Sequence, residues 1–196
     1  IHLESLGTAM AKLHRHADGW TLPPGFTRID WDREGFLGNT MVYGSLAVKD
    51  VWELFPPDLR SRLQGVARRL GPLIDADPDV GLIHADLHLG NAVYSGKTVA
   101  LIDFDDSGTG PRIYELAVAL WGHRLSDDYA AYRDALVDSY LAERSLDVSR
   151  IDDYIALRQV AFELWFTGMA GVNPDFAERL DQTHAWSHEV LDAVGY

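Results

Sequence analysis

The chain has 196 residues, enough for one domain or one large lobe, and 47% of them are hydrophobic, enough for a substantial core. Its net charge of −13 and pI near 4.8 argue against nucleic acid and anionic membrane surfaces as partners, since both need clustered Lys and Arg. No cysteine is present, so disulfides and thiolate chemistry are excluded.

No apolar run reaches the ~18 residues of a membrane span. The first residues show no basic-then-apolar signal pattern, and a cytoplasmic setting is expected. Six Trp and eight Tyr predict aromatic packing or an aromatic-lined cleft. The spacing of Leu3, Leu6, Met10, Leu13 and Ala17 predicts an amphipathic helix over residues 2 to 17. Residues 18 to 44 read as an irregular, aromatic-rich connection broken by Gly and Pro. Ser45 is placed to cap a short helix through Phe55, which Pro56-Pro57 ends. A longer helix follows over residues 57 to 75, with Leu59, Leu63, Val66, Leu70 and Leu73 inward and Pro57 at its start. Asp75 to Gly81 is a polar turn. Beyond residue 106, Ser107 to Gly110 reads as a flexible loop. Helices are predicted from Pro111 to about Arg124, from a Ser126 cap to about Arg144, and from a Ser149 cap to the Gly168–Gly171 region. A last helix, announced by Asn173-Pro174, runs to about Val194.

The chemistry concentrates in residues 82 to 106. Two short apolar runs each end in a carboxylate: Leu82-Ile83 leads to Asp86, and Val99 to Ile102 leads to Asp103. Ser95-Gly96-Lys97 between them reads as a tight turn, so residues 92 to 102 form an expected β-hairpin. A hairpin brings its ends together and sets Asn91 beside Asp103. An amide oxygen next to a carboxylate suits a hard cation such as Mg²⁺. Asp86, near that pair but not in it, is a candidate base for a hydroxyl, so the residues point to metal-assisted transfer to an alcohol. A different reading takes His84, Asp86 and His88 as transition-metal ligands of a hydrolase, since alternate residues of a strand face one way.

The order His84-x-Asp86-x-x-x-x-Asn91, then Ile102-Asp103-Phe104-Asp105, resembles the catalytic and metal-binding segments of the aminoglycoside phosphotransferase and choline kinase superfamily. Asp103 to Asp106, with Gly108-x-Gly110-Pro111 and Tyr114-Glu115-Leu116-Ala117 behind them, looks most like its homoserine-kinase-type and stress-response-kinase branch. The resemblance implies an α+β, mostly α fold: the C-terminal helical lobe of a kinase-like enzyme, with one or two small β-hairpins. That lobe would span residues 1–196, with a catalytic loop at 82–91, a hairpin at 92–102, a metal loop at 103–110 and a helical remainder at 111–196.

The implied activity is ATP- and Mg²⁺-dependent phosphoryl transfer to a hydroxyl of a small molecule. By resemblance, Asp86 orients the acceptor hydroxyl and takes its proton, while Asn91 and Asp103 hold Mg²⁺. His84 braces the loop, His88 matches a common family histidine, and Asp105 braces the metal loop or faces the substrate. Leu13-His14 sits where the family's first helix after the hinge carries a Leu-His pair, and His14 is read as a packing histidine. The sequence departs from the family at Ala85, where Gly is usual, at Leu89, where Pro is common, and at Glu115, where many members have an Asp that binds the catalytic loop backbone.

A kinase-like fold also needs a Gly-rich loop and a strand Lys, and nothing before residue 82 supplies them. The expectation is therefore a chain lacking its N-terminal lobe, inactive alone, with an exposed cleft able to self-associate. Two other readings of the same lobe are a stress-response-type Ser/Thr protein kinase and a non-catalytic, kinase-like binding lobe.

Overall fold

The computed structural model describes residues 2–39, 41–96 and 98–196. Lys97 of the expected tight turn lies outside the described residues. In chain order the elements are α1 (His2–Asp18), β1 (Ile29–Asp30), α2 (Arg33–Leu37), β2 (Val42–Tyr43), β3 (Leu46–Ala47), α3 (Val48–Val51), α4 (Pro57–Asp75) and β4 (Val80–Ile83). They continue as β5 (Ala92–Ser95), β6 (Thr98–Leu101), β7 (Gly108–Pro111), α5 (Ile113–Trp121), α6 (Tyr129–Leu141), α7 (Ile151–Ala170), α8 (Pro174–Ala177) and α9 (Leu180–Ala193). Two compact units divide the chain: Ile1–Trp31 with Asp77–Tyr154, and Asp32–Ala76 with Ile155–Tyr196.

In the first unit α1 packs along α6. Leu6, Met10 and Ala11 of α1 are fully buried, as are Leu136 and Tyr140 of α6. Each buried Leu contributes about 2 kcal/mol of apolar burial. The two helices touch backbone to backbone at Gly7, where a Cβ would meet the Leu136 carbonyl and the Ser139 hydroxyl. Helix α5 is apolar on nearly every side and buried from Ile113 to Leu120, as a central core helix must be. A three-stranded sheet has the order β1-β7-β4. Strand β7 runs antiparallel to β4 and parallel to β1.

In the second unit α4 buries Leu59, Leu63, Val66, Leu70 and Ile74, the face its spacing predicts apart from Ile74 in place of Leu73. Pro57 opens that helix, where a missing N–H costs nothing. A buried stripe on α7 includes Ile155, Val160, Leu164 and Phe166. The short hairpin β2–β3 is antiparallel.

The mostly helical character matches the sequence expectation, with several differences. Ser107 to Gly110, expected to be a flexible loop, delivers strand β7, because its glycines admit backbone neighbours on both sides. A Cβ on Gly108 would meet the Ile29 carbonyl of β1. The connection expected to be irregular holds β1, α2 and β2, and Asp32 caps α2 by accepting from the Gly35 amide at 2.9 Å. Residues 45 to 55 do not form one Ser45-capped helix: Leu46–Ala47 pairs as β3, and α3 starts at Val48. Pro111 pairs with Val80 in the sheet, so α5 starts two residues later. Asn173 caps as expected, accepting from the Asp175 amide at 3.0 Å, but the helix breaks after Ala177 and resumes at Leu180.

Candidate active site

Strand β4 ends at Ile83 and hands the chain to His84, which is fully buried. Its Nε2 lies 2.8 Å from the Ile102 carbonyl at the far end of the β5–β6 hairpin. The Asp86 amide donates toward His84 Nδ1 at 3.4 Å. One ring thus ties the loop that begins at His84 to the one that begins at Asp103, and it also lies 4.6 Å from the Phe104 ring. With Nε2 committed to a carbonyl and Nδ1 facing an amide, His84 is not turned to ligate a transition metal alongside Asp86 and His88. Among the described residues no group of three or more His, Asp or Glu side chains is arranged to hold a metal ion, which counts against the hydrolase reading.

Ala85 turns the chain with φ 69°, in the left-handed region that disfavours a side chain. This gives the Gly usual at this position a physical reason. The conformation is held from below: the Ala85 amide donates to Glu115 Oε1 at 2.6 Å. Glu115 lies in the first turn of α5 and is fully buried. The extra methylene relative to Asp does not prevent the bond to the loop.

After Asp86 the chain coils into a 3-10 turn over Leu89–Asn91. His88 Nδ1 caps that turn by accepting from the Gly90 amide at 2.9 Å. The opposite ring nitrogen, Nε2, lies 3.6 Å from Asp86 Oδ2. Asn91 donates through Nδ2 to the Asp86 carbonyl at 2.9 Å and to Asp86 Oδ2 at 3.2 Å. Both bonds fix the amide plane and leave Asn91 Oδ1 as the acceptor end.

The hairpin strands pair antiparallel. Ala92 pairs with Leu101 and Ser95 with Thr98. The Ile102 amide then donates to the Asn91 carbonyl at 3.0 Å, so Asp103 is the first residue past the last hairpin bond. It has φ 64°, and its side chain is exposed beside a loop of further carboxylates, Asp105 and Asp106. That loop is pinned through its backbone. Arg28 Nη1 donates to the Asp105 carbonyl at 3.1 Å, Trp31 Nε1 donates to the Asp106 carbonyl at 2.8 Å, and Ser107 Oγ donates to the Phe104 carbonyl at 2.6 Å.

Hydrogen bonds therefore gather His84, Asp86, His88 and Asn91 into one loop with Glu115 beneath it, and the hairpin register sets Ile102, the residue before Asp103, opposite Asn91. Asp105 joins through its carbonyl. Sequence reasoning did not find Arg28 and Trp31 as anchors of the metal loop, nor the burial of His14 against Glu115. The aromatic density of residues 20 to 36 and the Leu13-His14 pair were the available signals. Beside the metal loop, Leu13, Ala17, Trp20, Phe26, Ile83 and Phe104 line an apolar pocket of about 300 Å³.

The phosphotransferase enzyme family model matches residues 2–153. The chain belongs to the phosphotransferase enzyme family. It falls within the aminoglycoside phosphotransferase and choline kinase-like superfamily. An uncharacterised protein of Deinococcus radiodurans is 31% identical over 182 residues, covering 87% of this chain and 50% of that protein. Amicoumacin kinase of Bacillus subtilis is 25% identical over 168 residues, covering 79% of this chain and 47% of that enzyme. The chain thus spans about half the length of the curated relatives it matches. Among solved structures, a microcompartment-associated aminopropanol kinase superposes with a TM-score of 0.73 at 25% identity, over 98% of this chain and 63% of that one. Amicoumacin kinase in complex with AMP-PNP, Ca²⁺ and Ami superposes with a TM-score of 0.71 at 19% identity, over 96% and 58%. No helix among the described residues is long and apolar enough to cross a membrane.

Proposed function

We propose that the full-length protein transfers the γ-phosphoryl group of ATP, with Mg²⁺, to the hydroxyl of a small molecule. The observation that carries this reading is the Asn91 amide bonded to Asp86, one hydrogen bond from the hairpin end that delivers Asp103. In that arrangement the acceptor oxygen bonds to the γ-phosphorus as the bond to the ADP oxygen breaks. The acceptor's proton passes to the Asp86 carboxylate. Phosphoryl transfer is loose and dominated by positioning and electrostatics, so aiming the hydroxyl is the larger share of the work of Asp86.

Asn91 Oδ1 and the Asp103 carboxylate would hold Mg²⁺. The donor set fits: both are oxygens, and the amide nitrogen is already committed to Asp86. When bound, the cation neutralises charge on the transferring phosphate. His88 lies close enough to Asp86 to hold its carboxylate in place. His84 braces the two loops, and Glu115 fixes the residue before the base. Asp105, whose carbonyl accepts from Arg28, would brace the metal loop or face the substrate. The acid-rich surface suits an acceptor carrying an amine, in line with the aminopropanol named for one structural neighbour.

The test uses full-length protein with Mg²⁺-ATP and a panel of small amino alcohols, following ADP formation. Acceptor-dependent turnover that Asp86→Asn lowers by about 10²–10⁴ supports the assignment. Turnover indifferent to Asp86 would sink it.

A further inference from the structure

Asp103 is bracketed by hydrogen bonds from two distant parts of the chain. Upstream, the Ile102 amide donates to the Asn91 carbonyl at 3.0 Å, and the Ile102 carbonyl lies 2.8 Å from His84 Nε2. Downstream, Arg28 Nη1 donates to the Asp105 carbonyl at 3.1 Å and Trp31 Nε1 to the Asp106 carbonyl at 2.8 Å. Arg28 and Trp31 flank strand β1, which pairs in parallel with β7, Ile29 with Gly108 and Asp30 with Thr109. The Trp31 amide extends that pairing by donating to the Thr109 carbonyl at 2.6 Å. The loop adds one turn of its own: the Ser107 amide and hydroxyl both donate to the Phe104 carbonyl, at 3.1 and 2.6 Å.

The need for the downstream bonds follows from charge and backbone. Asp103, Asp105 and Asp106 are all exposed, and repulsion between neighbouring carboxylates favours an open loop. Asp103 also stands at φ 64°, a conformation that a residue other than Gly keeps only where its surroundings fix it. Arg28 and Trp31 spend these donors on carbonyls. The bonds therefore hold the backbone without occupying a carboxylate oxygen. Arg28 also brings positive charge to an acidic loop, but it is exposed and screened by solvent and salt. Trp31, half-buried and neutral, carries the larger share.

We propose that Arg28 and Trp31 are positioning residues for Asp103: gripping the Asp105 and Asp106 carbonyls, they keep the Asp103 carboxylate presented to a divalent cation. The inference rests on the role given to Asp103 above. The grip comes from a strand more than seventy residues earlier in the chain, so the geometry of the cation side is set by how β1 seats on β7. A role in sheet pairing alone would be met by any residue that keeps the amide bond to Thr109. The indole N–H and the guanidinium would then be dispensable for the cation.

The experiment compares wild type, Trp31→Phe, Arg28→Gln and Arg28→Lys in the full-length protein, with melting midpoints confirming that each folds. The first readout is binding of Mn²⁺ with AMP-PNP, followed by the Mn²⁺ EPR signal. Trp31→Phe keeps the ring but removes the N–H and should weaken Mn²⁺ about fivefold, the worth of one net hydrogen bond. Arg28→Gln should weaken it about two- to threefold, and Arg28→Lys, which keeps a donor and the charge, should recover most of that. The second readout is amide hydrogen exchange. In Trp31→Phe the Ser107 amide should exchange about fivefold faster, while the Ile102 amide and the residue-31 amide change less than about twofold. The third is kinetics with aminopropanol as the probe acceptor: the Mg²⁺ concentration for half-maximal rate rises by the same factors, with KM for the acceptor nearly unchanged. Wild-type Mn²⁺ affinity in Trp31→Phe overturns the proposal. So does weaker Mn²⁺ binding accompanied by lost protection at residue 31, which would report a melted sheet and not a released loop. Should Trp31→Phe not fold, unchanged Mn²⁺ affinity in Arg28→Gln overturns it instead. A wild type that binds no Mn²⁺ with AMP-PNP refutes the proposed function and this proposal with it. One that binds the metal but turns over no acceptor refutes the phosphotransfer alone, and Mn²⁺ affinity and exchange still decide Arg28 and Trp31.

Discussion

Asn91 Nδ2 donates to Asp86 Oδ2 at 3.2 Å and to the Asp86 carbonyl at 2.9 Å. Under the proposed function the amide would separate two jobs: its nitrogen would orient the base, and its oxygen would be presented for a cation. Asn91→Asp would set a second carboxylate against Asp86 with no donor between them. Turnover should fall by about 10²-fold or more, and the Mg²⁺ dependence should change shape. Magnesium titrations of the steady-state rate check this. A rate within threefold of wild type at every Mg²⁺ concentration would contradict it.

Ala85 at φ 69° sets a graded expectation. Ala85→Gly removes the left-handed penalty but also a buried methyl and some chain stiffness, so stability should stay within about 1 kcal/mol of wild type. Ala85→Val adds β-branching where the backbone least accepts it and should cost about 2–3 kcal/mol, with turnover falling in parallel. Denaturant unfolding orders the three proteins, and a Val variant as stable as the Gly variant would refute the strain argument.

Gly108 begins the strand that carries the chain away from the metal loop. A Cβ there would meet the Ile29 carbonyl and side chain. Gly108→Ala should cost about 1–3 kcal/mol. It should also loosen Arg28 and Trp31, whose bonds to Asp105 and Asp106 depend on β1 staying paired. Trp fluorescence and unfolding midpoints report the change. Unaltered values would mean that the β1–β7 pairing does not hold the loop.

Glu163 in the second unit is fully buried, and burial pushes its carboxyl up to about 7, against the opposing hydrogen bond from Ser187. Gln159 supports that serine, and His184 Nε2 lies 3.7 Å from Glu163 Oε2, its own affinity for a proton lowered by burial. The folded state holds the Glu163 proton more tightly than the unfolded chain does. The stabilisation from protonated Glu163 is therefore complete below the ordinary carboxylate value near 4.5 and lost as the pH rises through about 7. The total is roughly 3 kcal/mol. Glu163→Gln should flatten this decline and melt higher than wild type at pH 8. A variant whose stability still falls as steeply between pH 5 and 7 would assign the titration elsewhere.

What the sequence by itself determined is local. Helix α4 and the hairpin β5–β6 were readable because periodicity, a proline at a helix start and a tight turn act within a few residues. The hairpin that follows Asn91 was readable, and its last bond joins the Ile102 amide to the Asn91 carbonyl. The tertiary structure decided whatever depends on partners far along the chain. Gly108-Thr109-Gly110 has no strand-like pattern, and only β4 and β1 make it a strand. Ala85 stands out in sequence only as a departure from the usual Gly, and the partner of its amide, Glu115, lies thirty residues on. His14 reads in sequence as a packing histidine of an amphipathic helix, with no sign of its partners. Only the approach of α1 to α6 puts Tyr140 on one side of its ring and Glu115 on the other. Long-range placement of buried polar groups leaves no periodic trace, because each such pairing is satisfied once, by geometry that a linear pattern does not encode.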